Sequence, residues 1–94
     1  MSDSALYAIL PAKVRYDKEL TPIAKLLYAE ITASLNVHGA SKDSDEHFAK
    51  MLNTDIGEIN KALYALDSNG YIEIDFTAST DDQLEHRIIS IRRL

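Results

Sequence analysis

Three histidines and an excess of carboxylates are the side chains of this 94-residue chain that could carry acid–base or metal chemistry. His38, His47 and His86 are scattered, without the short spacings that hold a zinc ion. Asp81-Asp82 could bind a cation weakly, but two adjacent loop acids are ordinarily just hydrated. The chain has no cysteine, so thiolate sites and disulfides do not arise. Neither a glycine-rich phosphate loop, an activated nucleophile nor a His-based acid–base pair is legible. The expectation is a protein that is not an enzyme and uses no cofactor and no metal.

The carboxylates matter more through their distribution. Between residues 40 and 85 stand Asp43, Asp45, Glu46, Asp55, Glu58, Asp67, Glu73, Asp75, Asp81, Asp82 and Glu85. Only Lys42, Lys50 and Lys61 oppose them, leaving this stretch at a formal −8 within a chain of −5. The first 39 residues balance, and Arg87, Arg92 and Arg93 restore three positive charges. Acids on a small domain are usually a solvated surface. Asp43, Asp55 and Glu58 also have capping work available at helix starts. That explanation does not extend to Glu73, Asp75, Asp81, Asp82 and Glu85, because nothing about folding requires five acids and no base there.

A hydrophobic share of 46% and a charged share of 27% fit one folded domain over 1–94, with 1–5 expected as a flexible tail. Met1-Ser2-Asp3-Ser4 lacks the basic start and apolar run of a signal peptide, and no apolar stretch approaches a membrane span. No membrane partner is expected.

The elements that must position these charges follow from local patterns. Tyr7-Ala8-Ile9-Leu10, ended by Pro11, reads as a short strand or an extended arm, and Ala12 to Tyr16 as a helical turn. Thr21-Pro22 starts a long helix with Ile23, Leu26, Leu27, Ile31, Ser34 and Leu35 as its inward stripe, ended by Asn36 to Gly39. Asp43-Ser44-Asp45-Glu46 opens a second helix burying Phe48, Met51 and Leu52. After the turn at Asn53-Thr54, Asp55 and Glu58 form a capping-box pattern for a third helix with Ile59, Leu63 and Leu66 inside. Asn69-Gly70 stops it. Ile72, Ile74 and Phe76 then alternate with acids as a strand, Thr77 to Gln83 is a polar loop, and His86 to Arg92 returns as a second strand. This pattern predicts an α+β winged helix: three main helices, a two-stranded β-wing and a short N-terminal strand.

The run Ala8-Ile9-Leu10-Pro11-Ala12-Lys13-Val14-Arg15-Tyr16-Asp17, followed by Leu20-Thr21-Pro22-Ile23-Ala24-Lys25-Leu26-Leu27-Tyr28-Ala29-Glu30-Ile31, resembles a known family. It is similar to the N-terminal winged helix-turn-helix domains of phage and plasmid replication initiators of the replisome-organizer type. Phe48-Ala49-Lys50-Met51-Leu52 and Leu66-Asp67-Ser68-Asn69-Gly70-Tyr71-Ile72 continue the match, which spans roughly residues 6 to 76. The chain is expected as a short, stand-alone acidic variant, in the cytoplasm of a bacterial host cell. The resemblance implies a recognition helix rich in Lys, Arg, Ser and Thr just after its cap. This sequence instead offers Ile56, Gly57, Glu58, Asn60, Lys61 and Tyr64, with packing against the wing expected for Tyr64.

Two functional expectations result. Proteins hold a duplex by replacing its counterions with Lys and Arg, so a −8 surface repels phosphate. The first expectation is therefore a DNA-mimic-like inhibitor, of anti-CRISPR or anti-restriction type. Its Asp43, Asp45, Glu46, Glu58, Glu73, Asp75, Asp81, Asp82 and Glu85 would meet a basic protein surface on a nuclease or other nucleic-acid enzyme. The alternative is a DNA-binding initiator or transcriptional regulator. There Asn60 and Lys61 would read bases while Lys13, Arg15, Arg87, Arg92 and Arg93 contact phosphates. A homodimer through the first long helix or the chain termini is compatible with either.

Overall fold

The computed structural model describes residues 7–36, 39–76 and 87–92. They form four helices and one small antiparallel sheet, an α+β arrangement. The helices are α1 (Ala12–Arg15), α2 (Pro22–Ala33), α3 (Asp45–Met51) and α4 (Ile56–Ser68). The strands are β1 (Ala40–Ser41), β2 (Ile72–Asp75) and β3 (Ile88–Ile91), in the order β1-β3-β2.

Each longer helix begins where a side chain satisfies an orphan amide. Thr21 Oγ1 accepts from Ala24 N at 3.2 Å, with Pro22 in the first turn, where its missing N–H costs nothing. Ser44 Oγ accepts from His47 N, and Asp55 Oδ1 from Glu58 N at 2.8 Å. The cap of α3 is thus Ser44, leaving Asp43 outside the helix. Helices α3 and α4 end in the same way. Asn53 (φ 56°) and Gly70 (φ 81°) take the left-handed conformation just beyond the last turn. Thr54 N then bonds Ala49 O and Asn53 N bonds Lys50 O; Tyr71 N bonds Leu66 O and Gly70 N bonds Asp67 O. This is the Schellman closure, and at Gly70 it turns the chain directly into β2.

The core lies between α2, α4 and the sheet. Val14, Leu20, Ala24, Leu27, Tyr28, Ile31, Phe48, Ile59, Leu63, Leu66, Ile72 and Ile89 are all buried there. Register pairs Ile72 with Ile91 and Ile74 with Ile89 on the inward face, and Glu73 with Ser90 on the outward face. Ser41 of β1 is fully buried, its hydroxyl 2.8 Å from that of Ser34, the residue that caps the end of α2.

Several sequence expectations need correction. Residues 7–10 form no strand; they run as an extended arm in which Ile9 N donates to Thr32 Oγ1 at 2.9 Å. The sheet has three strands, because Ala40 and Ser41 pair with Ser90 and Ile89. Leu26 is exposed, since Ala24 and Tyr28 flank the Leu27–Ile31 row on the side where α4 packs. Met51 is also exposed, because the buried arc of α3 is centred between Phe48 and Ala49. Phe76 follows the last strand residue and is 57% exposed. Tyr64 is 76% exposed, so it does not pack under a wing. The 1–5 tail, the 77–83 loop, His38 and His86 lie outside the described residues.

Phe48→Ala is expected to cost about 3–5 kcal/mol in urea unfolding, whereas Met51→Ala should stay within about 0.5 kcal/mol. Equal losses at both positions would contradict this packing.

Candidate functional site

The start of β3 brings a cation against the start of α3. The Arg87 guanidinium donates from one terminal nitrogen to Asp45 Oδ1 and from the other to Asp43 O at 3.0 Å. Both side chains are largely shielded, at 14% exposure for Arg87 and 23% for Asp45. His47 Nε2 in α3 lies 3.4 Å from Asp43 Oδ2, and both atoms are buried without a hydrogen-bond partner. Of the acids expected on an open acidic face, Asp45 is therefore paired within the fold, and Asp43 has one carboxylate oxygen buried beside His47.

Beside this cluster lies an open cleft of about 450 Å³. Asp43, Asp45 and Arg87 line it together with Ile56 and Asn60 from the first turns of α4. Phe76, beyond β2, completes it, with Lys42, Ser44 and Glu46 at its α3 end. The Asn60 amide donates to Ile56 O at 3.0 Å, so a nitrogen that a base reader would present is used locally.

The remaining expected site residues are spread out. Glu58 in the first turn of α4 lies 3.8 Å from Lys61, an exposed pair that contributes little. Glu73 and Asp75 point outward from β2, with Glu73 Oε1 4.0 Å from Arg92. Asp81, Asp82, Glu85 and Arg93 lie outside the described residues.

The bases of the alternative set divide between two ends of the sheet. Arg87 sits at the cleft. At the other end, Arg92 N donates to Tyr71 O and Arg92 Nε to Ile72 O, while Tyr71 Oη lies 3.3 Å from Lys13 O. Arg15 stacks over the Tyr16 ring at 4.9 Å, and its carbonyl accepts from Lys25 Nζ at 2.7 Å.

Sequence reasoning missed the group that holds this end together. Tyr71 donates to Asp17 Oδ2 at 2.5 Å, and Asp17 Oδ1 accepts from Glu19 N at 2.8 Å. The bond to the Asp17 carboxylate, with burial and the nearby charge, pushes the Tyr71 phenol up to about 12. The same bond, helped by the Glu19 amide and Lys25, holds the Asp17 carboxyl below its ordinary value against the opposing effect of burial. Tyr28, raised by burial, meets the Tyr71 ring edge-on at 6.4 Å. The only sequence signal was a Tyr directly after a helix-ending Gly, which does not reveal a partner 54 residues away.

Among the described residues no group of three or more His, Asp or Glu is placed to hold a metal ion, and no helix is long and apolar enough to cross a membrane. No protein-family model, curated protein or solved structure matches the chain.

Two outcomes follow. Arg87→Met strands the Asp45 carboxylate and should cost about 2 kcal/mol, with Lys42→Met near neutral in the same urea titration. The raised Tyr71 contributes stability that is complete below its unfolded value near 10 and is lost as pH rises toward about 12. The lowered Asp17 contributes stability that is lost as pH falls through and below its unfolded value of 3.8. Tyr71→Phe should flatten the alkaline loss in pH-dependent unfolding; an unchanged slope would contradict the assignment.

Proposed function

We propose that this chain is a winged helix of the replication-initiator type whose recognition side is directed at a basic protein surface. Supporting the fold part is the order helix, helix, strand, helix, helix, strand, strand, with β3 between β1 and β2. The tight Asn53 turn between α3 and α4 also fits a helix-turn-helix, with α4 in the recognition position.

One observation carries the functional part. The exposed face of α4 presents Ile56, Gly57, Asn60, Lys61 and Tyr64, a single cation among apolar and neutral groups, and that cation leans on Glu58. Duplex binding needs several bases here to displace counterions. Aromatic and aliphatic groups beside acids suit a protein partner instead. The reading is a DNA-mimic-like inhibitor of a nucleic-acid-binding enzyme, of the anti-CRISPR or anti-restriction kind.

Exposed Lys13 and Arg92, each bonded through its backbone to Tyr71, support a second reading, a DNA-binding initiator or regulator that holds phosphates away from α4. Fluorescence anisotropy with a labelled 20-base-pair duplex at about 150 mM salt separates the two. The first reading predicts a Kd weaker than about 10⁻⁴ M. Binding at or below about 10⁻⁶ M would overturn it. If the second reading holds, Lys13→Ala with Arg92→Ala should then reduce the log–log salt slope by about 2.

A further inference from the structure

Asparagine followed directly by glycine is the pairing in which a backbone nitrogen most readily attacks a side-chain amide. The chain has four asparagines, and only Asn69 precedes a glycine; Asn36, Asn53 and Asn60 precede Val37, Thr54 and Lys61. Asn69 is exposed, caps the end of α4, and leads through Gly70 and Tyr71 into β2. We propose that Asn69 is a site of spontaneous deamidation, that the folded end of α4 holds it unreacted, and that its conversion loosens the junction of α4 with β2. This chemistry is independent of what the protein binds.

The step needs only water. The Gly70 nitrogen gives up its proton and attacks Asn69 Cγ; the Cγ–Nδ2 bond breaks and Nδ2 leaves as ammonia. Water then opens the resulting five-membered imide at either carbonyl, giving aspartate or its β-linked isomer. Glycine permits the attack because it has no Cβ to shield its nitrogen. Beyond its chain neighbours, a Cβ built on Gly70 would meet no atom within 4 Å, so packing from the rest of the fold does not shield it.

Hydrogen bonds keep the reacting groups apart. Asn69 Nδ2 donates to Ala65 O at 2.8 Å, and Gly70 N to Asp67 O at 3.0 Å. Leaving group and nucleophile are thus both engaged within the closure of α4. At ψ 3°, Asn69 also turns the Gly70 nitrogen toward its own backbone nitrogen and away from Cγ. Reaction requires rotation about that bond, which breaks the Gly70 and Tyr71 hydrogen bonds that end the helix. Local opening of the last turn therefore sets the rate. The change is one-way. A carboxylate replaces the donor to Ala65 O and stands near Asp67 at the negative end of the helix, where anions are unfavourable. The β-linked isomer also adds a main-chain carbon between Asn69 and Gly70, so Tyr71 N loses its register on Leu66 O.

The test compares the full chain with a synthetic peptide of residues 66–72 in the same mildly alkaline buffer. Mass spectrometry of tryptic digests follows each asparagine, with peptide 62–87 reporting Asn69. The free peptide gives the ungated rate. Asn69 in the folded chain should convert at least about tenfold more slowly. In concentrated urea it should convert at the rate of the peptide in that urea, ahead of Asn36, Asn53 and Asn60. The deamidated chain, separated by ion exchange, should unfold at lower urea than the unreacted chain. A folded rate equal to that of the peptide removes the protection. Conversion in urea led by another asparagine removes the site, and an unchanged urea midpoint after conversion removes the loosening. Any one of these overturns the proposal.

Discussion

The clasp of Arg87 on α3 is the polar interaction that fastens the start of β3 to the start of α3. A guanidinium is planar and multiply donating, so one side chain can satisfy the Asp45 carboxylate and the Asp43 carbonyl together. This fixes the first residue before β3 against the residues that open α3. It also fixes the sign of the local field. The Asp45 carboxylate that looked available to a partner is held by Arg87, and the arginine that looked available to a phosphate is held by that carboxylate and the Asp43 carbonyl. With that pair formed, the exposed side chains left in the cleft lining include Ile56, Phe76, Glu46 and Lys42.

The other end of the sheet is fastened by different chemistry. Tyr71 leaves α4 through the Gly70 closure and packs edge-on against Tyr28. Its hydroxyl meets the Asp17 carboxylate, and the Lys13 carbonyl lies close to the same oxygen. Strands β2 and β3 run four residues between the two fastenings, roughly 13 Å at strand rise. The cleft, with Asp43, Asp45, Glu46, Lys42 and Arg87 in its lining, therefore lies at one end of β3, and the Tyr71–Asp17 fastening at the other.

The features legible in the sequence were those set by residues close together in the chain. Thr21-Pro22 gives the start of α2, Asp55 the start of α4, and Gly70 its end, because caps and closures are satisfied within a few residues. The alternation of Ile72, Ile74 and the acids gives β2 for the same reason. What stayed hidden depended on distant partners. Ala40-Ser41 is too short to show alternation and becomes a strand only when β3 pairs with it. Leu26 and Met51 are apolar at helical spacing, but the direction from which α4 approaches decides that Ala24, Tyr28 and Ala49 are covered instead. Charge sign could be counted along the chain, whereas the pairing of Arg87 with Asp45 across 42 residues could not. The count therefore overstated the number of acids facing outward at the start of α3.

The central claim is that α4 does not face nucleic acid. Amide chemical-shift mapping of the ¹⁵N-labelled protein with a duplex at about 20 mM salt tests it under the conditions most favourable to duplex binding. The account predicts that resonances from Ile56 to Tyr64 stay in place, with any movement confined to residues around Lys13 and Arg92. Shifts running along α4 and into the cleft at Arg87 would contradict it.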